Sequence, residues 1–128
     1  MSFAEEQLLS SSFLEYCFLK YILAPTTRSS ILPLIHPQYE VSLGDHSYRI
    51  DYLLSGSDLQ VAVELDGYEF HSDRDAFTYE RLRQNELQLQ GYRILRFSYD
   101  SVRTQTARCI EQLRTVMLQD SLLSRHLA

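Results

Sequence analysis

A chain of 128 residues is long enough for one compact domain with one core, and 45% apolar with 23% charged residues is the balance of a globular protein, not of a disordered or collagen-like one. The densest apolar stretch, Phe13 to Ala24, is interrupted by Glu15 and Lys20, and the N-terminal Met-Ser-Phe-Ala-Glu-Glu lacks a signal peptide's basic start, so no membrane span and a cytoplasmic location are expected. Net charge is −5, but residues 1–80 hold 13 of the 17 acids and residues 81–128 hold 8 of the 12 bases, which suits either an enzyme that holds cations in one place and phosphates in another, or arginines that only solvate two helices.

Residues 3–24 carry Leu8, Leu9, Phe13, Tyr16, Leu19 and Leu23 at helical spacing, with Ser2 as N-cap and Pro25 as the stop. Thr26 to Pro37 holds two more prolines and no clean period, and reads as a connection with room for a short helical turn. Three strands are then expected, Tyr39 to Leu43, Ser47 to Leu54 and Leu59 to Leu65, separated by Gly44-Asp45-His46 and Ser55-Gly56-Ser57-Asp58 and forming an antiparallel meander. Residues 74–90 read as a helix with a loose apolar stripe of Tyr79, Leu82 and Leu89, closed by Gly91. Tyr92 to Phe97 is a fourth strand, and a last helix runs from about Asp100 or Ser101 to Met117. Residues 119–128 are expected to fray. Cys17 and Cys109 have no C-x-x-C partner and are expected as buried thiols. The order α-β-β-β-α-β-α implies an α/β domain, with a mixed four-stranded sheet flanked by helices and strands three and four parallel.

In the second strand Tyr48, Ile50, Tyr52 and Leu54 alternate onto one face and leave Asp51 on the other with Arg49 and Leu53. In the third, Leu59, Val61, Val63 and Leu65 share a face, with Glu64 and Asp66 opposite. The tight turn between these strands brings Asp51 within about one residue pair of Glu64. Unpaired carboxylates near a core are costly, and a divalent cation resolves that cost; hard oxygen donors from Asp51, Glu64 and the Leu65 carbonyl suit Mg2+ or Mn2+. The alternative is that the acids pair with arginines at the sheet edge. His71, five residues beyond Asp66, is near enough to orient or deprotonate a water.

The segments I-D-Y (50–52), V-E-L-D-G-Y-E-F-H-S-D-R-D-A-F (63–77) and E-R-L-R-Q-N-E-L-Q-L-Q-G-Y-R-I-L-R-F-S (80–98) together resemble the DUF559 family of nuclease-like domains, relatives of the very-short-patch repair endonucleases in the PD-(D/E)XK superfamily. The resemblance implies a restriction-endonuclease-like fold, DNA as partner and Mg2+ as cofactor. It makes Asp51 the motif aspartate, Glu64 the second acidic ligand, and Asp66 the occupant of the position that holds lysine in better-known members. His71 corresponds to the histidine after the strand, Glu5 to the acid of the first helix, and Arg83 to the arginine of a D-x-x-R-x-x-x-L-x-x-x-G pattern completed by Leu87 and Gly91. Glu80 replaces the aspartate that begins that pattern, and Gln84 an aspartate found in some relatives. The only lysine, Lys20, lies about four helical turns from Glu5 and cannot replace the missing one.

The expected function is therefore hydrolysis of DNA phosphodiesters, with Asp51, Glu64, Asp66 and His71 catalytic, Asp51, Glu64, Leu65 and Glu5 holding metal, and Arg83, Glu80 and Arg81 binding phosphate or bracing the site. Two other classes compete: a nuclease-like module that binds DNA or protein without cutting, and an interaction domain using its nine tyrosines.

Overall fold

The computed structural model describes residues 11–67 and 74–128. The first helix, α1 (Ser11–Cys17), runs without a break into a π-helical stretch, Phe18–Leu23, and a last turn, Ala24–Thr26. Pro25 therefore does not stop the helix where sequence placed its end. The wider π turn, in which the Ala24 N–H bonds to the Leu19 carbonyl, makes room for a proline ring that would clash in a regular helix. The Thr26 and Thr27 hydroxyls then donate to the Ile22 and Leu23 carbonyls, at 2.6 and 2.9 Å.

A 3-10 helix, Ser29–Leu34, leads into β1 (Ile35–Leu43), β2 (His46–Ser55) and β3 (Gln60–Asp66), followed by α2 (Arg74–Leu89) and β4 (Tyr92–Ser98). The sheet order is β1-β2-β3-β4, antiparallel across the first two pairs and parallel across the third. This is the mixed sheet the sequence implies. β1 starts four residues earlier than expected and includes Pro37, which an edge strand tolerates because one side needs no ladder donor.

One face of the sheet, with Leu54, Val61, Val63 and Phe97, packs with Phe18, Ile22, Leu113 and Met117 in the main core, where Cys17 and Cys109 are also buried as thiols. The other face carries a smaller core of Ala62, Leu87, Tyr48, Ile50 and neighbours. The alternation expected along β2 thus fails at its middle: Tyr52 and Leu54 join the main core, Tyr48 and Ile50 the other. At the same level of β1, Gln38 takes φ 52° and drops out of the pairing between Pro37↔Tyr52 and Tyr39↔Ile50. The hairpin twists there, turning its outer half toward α2.

The expected stripe of α2 is also corrected. Tyr79, Leu82 and Leu89 are exposed, and the helix buries Arg83 and Leu87, with Glu80 and Gln84 half-buried beside them. Positions 80, 83, 84 and 87 are one helical face, mostly polar because the sheet surface opposite carries charged residues. The last helix is two, α3 (Tyr99–Thr104) and α4 (Thr106–Leu118), broken at Gln105.

The tail does not fray. Leu123 and Leu127 are buried in the main core, the Arg28 N–H donates to the His126 carbonyl and the Ala128 N–H to the Thr26 carbonyl. The pin is Asp120, 1% exposed, whose carboxylate accepts N–H bonds from Ser57, Asp58 and Leu59 in the β2–β3 turn and from Leu122 and Leu123 in the tail, at 2.8–3.0 Å. Burial opposes ionisation, yet the N–H groups of Leu123, Asp58, Leu59 and Ser57 hold its pKa far below the ordinary carboxylate value. A Cβ on Gly56 would stand 2.5 Å from that carboxylate, so glycine is required for the approach.

Candidate active site

The β2–β3 ladder extends only as far as Tyr52↔Val63. Beyond it the strands diverge, and the Leu65 N–H donates instead to Asp51 Oδ2 at 2.8 Å. The side chain thereby replaces a ladder acceptor and is held where the strands part. Glu64 occupies the neighbouring register position on β3, and Arg96 of β4 stands beside it, Glu64↔Arg96.

Behind this pair lies Arg83 of α2, itself buried. Its guanidinium donates to Glu64 Oε1 at 3.0 Å and to the Arg49 carbonyl at 2.8 Å, and lies 3.8 Å from Glu80 Oε2. Its central carbon is 5.0 Å from the centre of the Tyr48 ring, an arrangement favoured by the ring quadrupole. Tyr48 in turn donates its hydroxyl to Glu86 at 3.2 Å, and burial with that bond pushes its pKa up to about 12. Asp66 is gripped by both arms of Arg96, at 2.9 and 3.1 Å, while a third Arg96 nitrogen donates to Gln84 at 3.1 Å.

Asp51, Glu64, Asp66, Glu80, Arg83 and Arg96 line one open cleft of about 590 Å³, together with Gln38 and Tyr48. Burial raises the Asp51 carboxyl above its ordinary value against the pull of the Leu65 N–H and Arg83. It pushes Glu64 up to about 7, again against Arg83, with Asp51 adding repulsion. Both carboxylates thus sit where ionisation is costly without a counter-charge.

Of the residues expected from sequence, Asp51, Glu64, Asp66, Glu80 and Arg83 come together. Leu65 buries its side chain in the main core while its backbone stays at the cleft, and Arg81 faces an adjoining groove. Glu5 and His71 lie outside the described residues. Glu15 was missed. On α1 it accepts a hydrogen bond from Gln38 Nε2, and its carboxyl is raised by burial and by Asp51, so it is the described first-helix acid in electrostatic contact with the cluster. Its sequence signal was an acid within an apolar helical run. Arg96 is committed to Asp66. Arg93, on the opposite strand face, donates to Gln119 at 2.7 Å.

The donors fit a hard divalent cation in kind: two neighbouring carboxylates made costly first by burial and then by carboxylate repulsion, from Asp66 on Asp51 and from Asp51 on Glu64, a penalty that a cation would lift. Among the described residues, no three His, Cys, Asp or Glu side chains come close enough to hold an ion by themselves. No described helix is long and apolar enough to cross a membrane.

The model of the REase_MTES_1575 family, a restriction-endonuclease-like family, matches residues 34–117, which span β1 through nearly all of α4 and contain every residue that lines the cleft, while Glu15 of α1 lies outside the match. The chain belongs to that family. No curated protein and no solved structure matches it.

Proposed function

We propose that the chain is a metal-dependent DNA endonuclease of the PD-(D/E)XK type, allied to the DUF559 and very-short-patch-repair-like branch, with Mg2+ or Mn2+ as cofactor. The observation that carries the reading is the divergence of β2 from β3, which leaves Asp51 and Glu64 as neighbouring buried carboxylates on an open cleft. Asp51 and Glu64, with the Leu65 carbonyl, are the ligands, and Glu15 takes the part expected of Glu5. The cation supplies Lewis-acid charge for attack of water on a phosphodiester.

The remaining tasks belong to the protein. Arg83, fixed by the Arg49 carbonyl and the Tyr48 ring, orients Glu64 and favours its ionised form. The Leu65 N–H does the same for Asp51. Asp66, standing where better-known relatives have lysine, is held ready by Arg96 as an acid-base group, with His71 as its partner in moving the proton of the attacking water.

The test is nicking of supercoiled plasmid with Mg2+ and with EDTA, by the parent and by Asp51→Asn and Glu64→Gln. Mg2+-dependent nicking should fall to background in both variants. Variants that nick as well as the parent would refute the assignment.

The ion pairs of Glu64 with Arg83 and of Asp66 with Arg96 favour a second reading, a nuclease-like module that binds DNA or protein without cutting, since internal cations already balance two of its acids. That reading expects no nicking with any divalent ion.

A further inference from the structure

A second groove, of about 460 Å³, opens between α2, the end of β4 and the α3–α4 region, and it shares Asp66, Glu80 and Arg96 with the active-site cleft. A chain passing the cleft therefore continues across Arg96 into this groove. Its charges differ from those of the cleft. Arg96 is already bound to Asp66, whereas Arg81 and Arg108 are exposed and have no carboxylate partner among the described residues. They are free to meet phosphates.

The groove also presents an aromatic surface. Phe77 is 52% exposed at its wall, and the Arg81 guanidinium lies 4.7 Å from its ring centre. An exposed ring carrying a planar cation offers a stacking platform, and base stacking of this kind tolerates any sequence. Gln105 and Gln112 on the opposite wall supply both donors and acceptors. A volume near 460 Å³ is that of a small-ligand site. A base within a duplex has its faces stacked and its pairing edge occupied, so only an unpaired base can present a face to Phe77 and an edge to the glutamines.

We propose that this groove receives one unpaired nucleotide of the DNA, its base against Phe77 and its flanking phosphates between Arg81 and Arg108. The enzyme would thus favour DNA with a bulged, flapped or single-stranded nucleotide next to the cut. The proposal rests on the nuclease reading for the meaning of the cut, but binding tests it separately.

Three labelled oligonucleotides of one sequence, a full duplex, a duplex with one bulged nucleotide and a single strand, are titrated in EDTA and followed by fluorescence anisotropy. The bulged and single-stranded forms should bind about 10-fold or more tighter than the duplex, and Phe77→Ala should erase most of that difference. The Arg81→Gln/Arg108→Gln double variant should weaken single-strand binding and reduce the log–log salt slope by about 1.4, the loss of two phosphate contacts. Thermal melting checks that these surface variants remain folded. Equal affinity for the three oligonucleotides, or folded variants that bind like the parent, would overturn the groove assignment. Nicking of the plasmid and of the same three oligonucleotides in Mg2+ is run in parallel. Preference for unpaired DNA without nicking upholds the groove and rejects the nuclease; nicking without preference does the reverse.

Discussion

Replacing Asp120 by Ala removes one carboxylate and strands five backbone donors from two segments about 60 residues apart in sequence. Ser57 and Asp58 are exposed, so water can take their N–H groups; Leu59 and Leu122 are half-buried and Leu123 is fully buried. Counting two or three donors left unsatisfied at about 1–3 kcal/mol each gives a loss of about 4 kcal/mol. For a domain of this size that lowers Tm by about 15 °C. Urea denaturation at pH 7 measures the loss.

Gly56→Ala should cost a similar amount by pushing the carboxylate aside, and should cost far less once Asp120 is already Ala, because the two act on one contact. The sign of the pH dependence follows from the depressed pKa of Asp120. Its contribution is complete above the unfolded value near 3.8 and is lost as pH falls toward the lower folded value, so parent and Asp120→Ala should converge in acid. A loss under about 1 kcal/mol at neutral pH would mean the donors find water as readily as they find Asp120, and would refute the clamp.

Arg83→Leu should destabilise by about 3–5 kcal/mol, because it leaves Glu64 buried without its cation, and Arg83→Leu/Glu64→Leu should recover much of the loss; chemical denaturation of the three proteins checks this. Glu15→Gln should be more stable than the parent at neutral pH and lose that advantage in acid: the raised carboxyl is favourable to folding when protonated, and this contribution disappears as pH rises from 4.5 through its higher folded value. Melting temperatures from pH 4 to 8 read the crossover, and parallel curves would contradict the raising of the Glu15 carboxyl by burial and by Asp51.

Sequence by itself determined what depends on neighbours along the chain. The turn signals at Gly44-Asp45 and Ser55 to Asp58 set the antiparallel strands, and a 16-residue helix between β3 and β4 made their parallel pairing the expected outcome. That Asp51 and Glu64 would stand close together followed from strand register, a local count, although the ladder itself ends one pair short of them. What sequence could not supply were partners chosen by packing. The inward face of α2 was misread because its buried stripe is polar, and a polar stripe is recognisable only when the opposing sheet face is known to carry Asp51, Glu64 and Asp66. Glu15 lies 23 residues from the Gln38 that binds it, and Asp120 lies 62 from Asp58, so neither has a periodic signature. A carboxylate can accept hydrogen bonds from any donor that the fold brings within about 3 Å, and tertiary packing selects which donors arrive. Hence the acids of the cleft were legible in the chain, while the arginines that hold them, the helix acid beside them and the clamp that closes the tail were settled only in three dimensions.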